Sequence, residues 1–165
     1  MSSIISNYLF RVKFLHQKKV YRDIEMYGDW SLEELSELIL KSVKFSPDHC
    51  CGFYSNIKNM YDSEEIYETF ADIDLDDEEE DEEDDFIDSK SKSKSMKNTL
   101  IKDVFEIKKK MLFYFDYGDN WKFVIECKDI VDKDFTKSGI IKTEGKAPLQ
   151  YPRTKRGQEE WELFH

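Results

Sequence analysis

Cysteine, proline and glycine are all scarce in this chain: three, three and six among 165 residues. Three cysteines, Cys50, Cys51 and Cys127, are too few and too oddly numbered for a disulfide scaffold, and the adjacent pair lacks the C-x-x-C spacing of a redox or zinc half-site. The glycines stand singly, so the phosphate-loop and dinucleotide glycine patterns are missing and no cofactor is expected. Only His16, His49 and His165 are histidines, and none sits in a nucleophile signature, so no catalytic residue and no metal site is assigned. Apolar runs are broken by Lys or Glu well short of the roughly 20 residues that span a bilayer. The opening Met1 to Asn7 is short and polar, so the cytoplasm is the expected compartment and no membrane partner is expected.

Acidic charge, by contrast, is abundant and concentrated. Residues 72–85, DIDLDDEEEDEEDD, hold twelve carboxylates and no base, so the formal net charge of −11 becomes +1 once they are set aside. A run of alternating Ser and Lys follows. Such a composition cannot bury enough apolar area to offset its ordering entropy, and 72–97 reads as a disordered acidic, then Lys/Ser-rich insertion in one domain spanning 7–152. Asp72, Asp74, Asp76 and Glu83 fall at calcium-loop positions, but Asp77 stands where that loop needs glycine.

The rest of the chain is rich in aromatic residues and shows clear periodicity. Tyr8, Phe10, Val12 and Phe14 alternate with polar residues in a first strand. Val20 to Met26 continues the alternation, with Arg22 on the apolar side suggesting an edge or rim strand. Ser31 and Glu34 form a capping box that opens a helix whose Leu32, Leu35, Leu38, Ile39 and Val43 make an apolar stripe. Cys50 to Ile57 reads as a third strand, and Asn59 to Phe70 as an irregular connection. Met111 to Phe115 and Trp121 to Cys127 form the clearest hairpin, joined by DYGDN, where Gly118 is expected at positive φ. Ile140 and Ile141 suit a last short strand, and residues 153–165 a C-terminal tail that docks as a short helix. The expected fold class is α+β: a mostly antiparallel sheet of about five strands with one principal helix packed on one face.

The order YLFRVKF, basic strand, WSLEELSELI helix, HCCGFY strand and MLFYFDYGDNWKFVIE hairpin resembles the plasmid family named after the third open reading frame of an Ri plasmid. Its members are also described as insertion-element passenger proteins. The resemblance runs from about Tyr8 to Pro152, and FDYGDNW, Phe115 to Trp121, is its most specific piece. Many relatives end in a glycine- and cysteine-rich segment with a proline pair, which this chain does not have, and the acidic stretch lengthens the middle. The family implies a fold and a mobile-element origin but no established reaction.

Asp116, Tyr117, Asp119 and Trp121 are the candidate ligand or partner residues, because a hairpin tip can present two carboxylates and two aromatics together. The competing reading is that Asp and Asn cap their own turn while Trp121 begins a core strand. The leading functional expectation is a non-enzymatic interaction module with a protein partner. An alternative is nucleic-acid association through a lysine-rich sheet face that includes Lys108, Lys109, Lys110, Lys122 and Lys142, and a further one is an enzyme acting at the DYGDNW hairpin.

Overall fold

The computed structural model describes residues 5–69, 93–133 and 138–165. The alternating N-terminal segment forms strands β1, Ile5–Phe14, and β2, Gln17–Tyr27. Helix α1, Leu32–Ser42, follows, then β3, Cys51–Tyr54, β4, Ile66–Glu68, and β5, Ser93–Ser95. The hairpin is β6, Lys110–Phe115, and β7, Trp121–Lys133. Strand β8, Gly139–Glu144, and helix α2, Lys155–Glu162, complete the fold.

All eight strands join in one sheet of order β5-β4-β3-β6-β7-β1-β2-β8. Its pairs are antiparallel except β4 with β5, which run parallel. The expected α+β class, a mostly antiparallel sheet of about five strands with one principal helix, is therefore corrected: among the described residues the protein is mostly sheet, with eight strands in one mixed sheet and two helices. Strands β4 and β5 are three residues each and pair through backbone groups near one edge, so side-chain alternation carries no signal for them. Residues 72–92 of the expected insertion lie outside the described residues. Its last residues do not: Ser93–Ser95 is a strand and Met96 is buried.

One face of the sheet makes the core. Phe10, Val12 and Phe14 of β1, Ile24 and Met26 of β2, Phe53 of β3, Phe113 and Phe115 of β6, and Phe123, Ile125 and Cys127 of β7 are all buried against Leu32, Leu35, Ile39 and Leu40 of α1. The helix starts where the sequence places it. Ser31 Oγ accepts from Glu34 N, and the Glu34 carboxylate accepts from Ser31 N at 2.9 Å. The next orphan amides are met from beyond β5, since Leu32 N donates to Thr99 O and Glu33 N to Met96 O. Leu38 is only partly buried at the margin of the helix stripe.

Arg22 corrects the edge assignment for β2, which lies between β1 and β8. The side chain is buried and its charge is solvated by protein carbonyls: Nε donates to Ser42 O at 2.8 Å, and Nη1 to Tyr21 O, Glu144 O and Gly145 O. Arg22 thus ties the end of α1 to β8. Burial lowers its pKa, as expected for a cation removed from water.

The opposite, outer face carries a smaller apolar cluster of Tyr54, Leu112 and Tyr114, flanked by Leu15, Ile57, Met60 and Ile66. Further along this face the pairing register puts Lys110 opposite Glu126, Glu126 opposite Arg11, Arg11 opposite Asp23, and Asp23 opposite Lys142. Charges alternate across five strands in that row, and Arg11 grips Asp23 through both Nε and Nη2 at 2.8 and 3.0 Å.

Candidate functional site at the hairpin end

The turn between β6 and β7 is built by its own polar side chains. Asp116 and Asn120 adopt left-handed φ of 62° and 59°, whereas Gly118 does not, which corrects the expectation for that glycine. Asp and Asn tolerate this region because short polar side chains can bond nearby amides. Asp116 Oδ1 accepts from Gly118 N at 3.1 Å and Asp119 N at 3.2 Å, and its carbonyl accepts from Asn120 N. A Cβ at Gly118 would meet only Asp116 Oδ1, at 3.5 Å, so the position does not demand glycine.

The four candidates separate in space. Asp116 is buried, with Oδ2 facing His49 Nε2 at 3.4 Å. His49 Nε2 also lies 2.7 Å from Tyr151 Oη and 3.6 Å from Asp48 Oδ1. Tyr151 Oη in turn is 3.3 Å from both Asp48 oxygens, while the buried Gln150 binds the backbone of Ser46 through Oε1 and Nε2. The Tyr151 phenol is pushed up first by burial and then by the negative fields of Asp48, Asp116 and Asp119. Asp119 adjoins this group through its backbone, since its N donates to Asp116 Oδ1 at 3.2 Å. The side chains of Asp48, His49 and Tyr151 remain substantially exposed, so this end of the sheet presents a carboxylate-rich rim with aromatic and imidazole rings.

Tyr117 goes to the other side. Its hydroxyl is 3.0 Å from that of Tyr54, which donates to Glu68 Oε2 at 2.5 Å; Tyr117 must then be the donor to Tyr54. Ser93 Oγ donates to the second Glu68 oxygen at 2.7 Å. Both phenols hold their protons more tightly than in water, mainly through burial, so neither is a competent acid or base at neutral pH. Tyr114 donates to Asn120 Oδ1, and its ring lies tilted against that of Tyr117 with centroids 4.9 Å apart. Gly52 makes this arrangement possible: a Cβ there would lie 2.8 Å from Tyr54 Oη and 2.9 Å from the Tyr67 carbonyl.

Trp121 is fully buried and packs with Phe45, Phe14, Trp161 and His165. Cys51 and Cys127 are buried thiols whose pKa burial raises to about 11, which makes them poor nucleophiles. Asp48, His49 and Tyr151 are not paired with the hairpin by the sequence: the β3–β6 register brings 48–51 to the hairpin, and Gln150 ties the 150–151 segment to the backbone of Ser46. The one local hint is His49 beside Cys50.

Among the described residues the protein is mostly sheet, one mixed eight-stranded sheet with two helices and a polar-capped β6–β7 turn. The chain belongs to the plasmid pRiA4b ORF-3-like protein family, whose model matches residues 7–151. It shares its fold with a protein of unknown function from Methanosarcina mazei Go1, known from a crystal structure. The TM-score is 0.67 and the identity 15%, over 96% of this chain and 80% of that one. No curated protein matches the chain. Among the described residues no helix is long and apolar enough to cross a membrane.

Proposed function

We propose that this protein is a non-enzymatic interaction module of mobile-element origin that engages a protein partner at the hairpin end. The observation that carries the reading is the convergence of Asp48, His49, Asp119 and Tyr151 around the buried Asp116, with the rim side chains open to solvent. Such a rim suits a basic side chain of a partner, which would find carboxylates for its charge and the Tyr151 ring for its stem. The polar groups there cap a turn and bind one another, and the neighbouring thiols and phenols are held neutral, which favours recognition over covalent chemistry.

Nucleic-acid association through a broad lysine face finds less support. Lys110 and Lys142 stand in the row that alternates with Glu126 and Asp23, and Lys109 is spent on Glu65 at 2.8 Å. Affinity capture from the organism of origin tests the leading reading. Asp119→Asn and Asp48→Asn, both folding like the parent, are expected to lose a partner that the parent retains. Recovery of the same proteins by both variants would remove the hairpin end as an interaction site.

A further inference from the structure

We propose that the outer face of the sheet holds a track for a single-stranded oligonucleotide, separate from the hairpin end. A groove of about 530 Å³ runs beneath the loop that carries Lys58 and Tyr61, with Leu112 and Tyr114 of β6 and Lys122 of β7 among its walls. A hollow of about 180 Å³ continues it over β1 and β7 and shares Leu15 and Ile57 with the first. Lys13 and Lys18 lie along this second part. Arg11 and Lys110 also line it but stand in the alternating row with Asp23 and Glu126.

Charge and aromatic surface coincide here. Glu126 is the one carboxylate lining the two hollows, and it already faces Lys128 at 3.8 Å, so Lys13, Lys18, Lys58 and Lys122 give the track an unbalanced positive edge. Tyr61 is 82% exposed, an unusual position for a ring of that size. It is not loosely placed: the 3-10 turn Met60–Asp62 that carries it is capped by Asn59, whose Oδ1 accepts from Tyr61 N at 3.1 Å. A third hollow shares Ile57 and Lys58 with the first and is lined also by Asp62, Glu64 and Glu65, so the track ends at Lys58 on that side.

Single strands are bound without sequence preference by this combination, lysines tracking the phosphates and a presented ring stacking on a base. An acidic peptide would use the lysines and leave the Tyr61 ring without a partner. A duplex keeps its base faces stacked inside and has the same shortcoming. The formal net charge of −11 opposes polyanions at long range, so the attraction is local and should weaken steeply with salt.

Fluorescence anisotropy of the full chain with a labelled oligo-dT of about twelve nucleotides tests this, at low and at physiological salt. The parent is expected to bind the single strand more tightly than the matching duplex or polyglutamate. Tyr61→Ala should weaken it on the order of tenfold, as loss of one stacked base does. The charge reversal Lys58→Glu with Lys122→Glu should abolish binding at physiological salt, while Asp119→Asn should leave it unchanged. Absence of binding at low salt overturns the inference, as does indifference to Tyr61→Ala, or polyglutamate or duplex binding equal to that of the single strand. Circular dichroism and melting of each variant separate lost binding from lost fold. Because Asp119 takes no part, the partner site and this track fail or survive independently.

Discussion

Arg22 offers the sharpest test of how the fold is held together. Four carbonyls surround its guanidinium at 2.8 to 3.1 Å, but Nη1 has two protons for its three acceptors, so the array amounts to three full bonds. At about 1 to 1.5 kcal/mol each, toward the low end for charged donors because the acceptors are neutral, Arg22→Met should lose about 3 to 5 kcal/mol. Ser42 O is left at the helix end without its donor, while the methionine stem keeps most of the packing. A loss of that size is a large share of the roughly 5 to 15 kcal/mol that stabilises a domain. Urea unfolding with an unchanged slope measures it, and hydrogen exchange should quicken in the last turn of α1 and in β8. The partners are dipoles in a buried site, so the loss should be the same at low and high salt. A variant within about 1 kcal/mol of the parent would refute the reasoning and mean that the desolvation of the cation cancels its bonds.

Two further outcomes are expected. Gly52→Ala should cost about 1 to 3 kcal/mol, because the new Cβ meets a backbone carbonyl as well as the Tyr54 ring, and a melting temperature equal to the parent's would contradict the contact geometry. Met96→Ala should cost about 2 to 3 kcal/mol by emptying a buried site beside α1, and a change below about 0.5 kcal/mol in chemical denaturation would return residue 96 to the solvent-exposed insertion that its sequence neighbours suggest.

The parts of the fold legible in the sequence are those where side chains report the backbone. Tyr8, Phe10, Val12 and Phe14 alternate because one face of β1 meets α1, and the Ser31–Glu34 box marks a helix start through its own hydrogen bonds. Strands β4 and β5 escape because three residues give no period, and Ser93–Ser95 has the composition of the polar run before it. Arg22 misleads since an apolar environment is inferred from residue type, whereas here carbonyls from α1 and β8 receive the charge. Gly118 misleads for a related reason: glycine permits positive φ, but Asp116 and Asn120 adopt it with side-chain support. The candidate site was legible as a hairpin and not as a site, since His49 and Tyr151 come from segments about 65 residues before and 35 after it, the first brought in by the β3–β6 register and the second by the bonds of Gln150 to Ser46 and of Tyr151 to His49.

Trp121 shows how the two readings of the hairpin divide. The family match ends at residue 151, yet the described chain continues into α2, capped by Thr154 Oγ1, which accepts from Gly157 N at 3.0 Å. Phe164 then packs on Phe14 with centroids 4.8 Å apart, and Trp161 and His165 stack on each other and close over Trp121. The segment expected as a tail therefore completes the core, and its cover is what withdraws Trp121 from any surface role. Asp116 is withdrawn differently, by spending one oxygen on its own turn while the other faces His49. What stays available at the hairpin end is the rim of Asp48, His49, Asp119 and Tyr151. FDYGDNW is thus mostly a folding device: of its seven residues Asp116 and Asn120 shape the turn, Phe115 and Trp121 fill the core, and Asp119 alone joins the rim of Asp48, His49 and Tyr151.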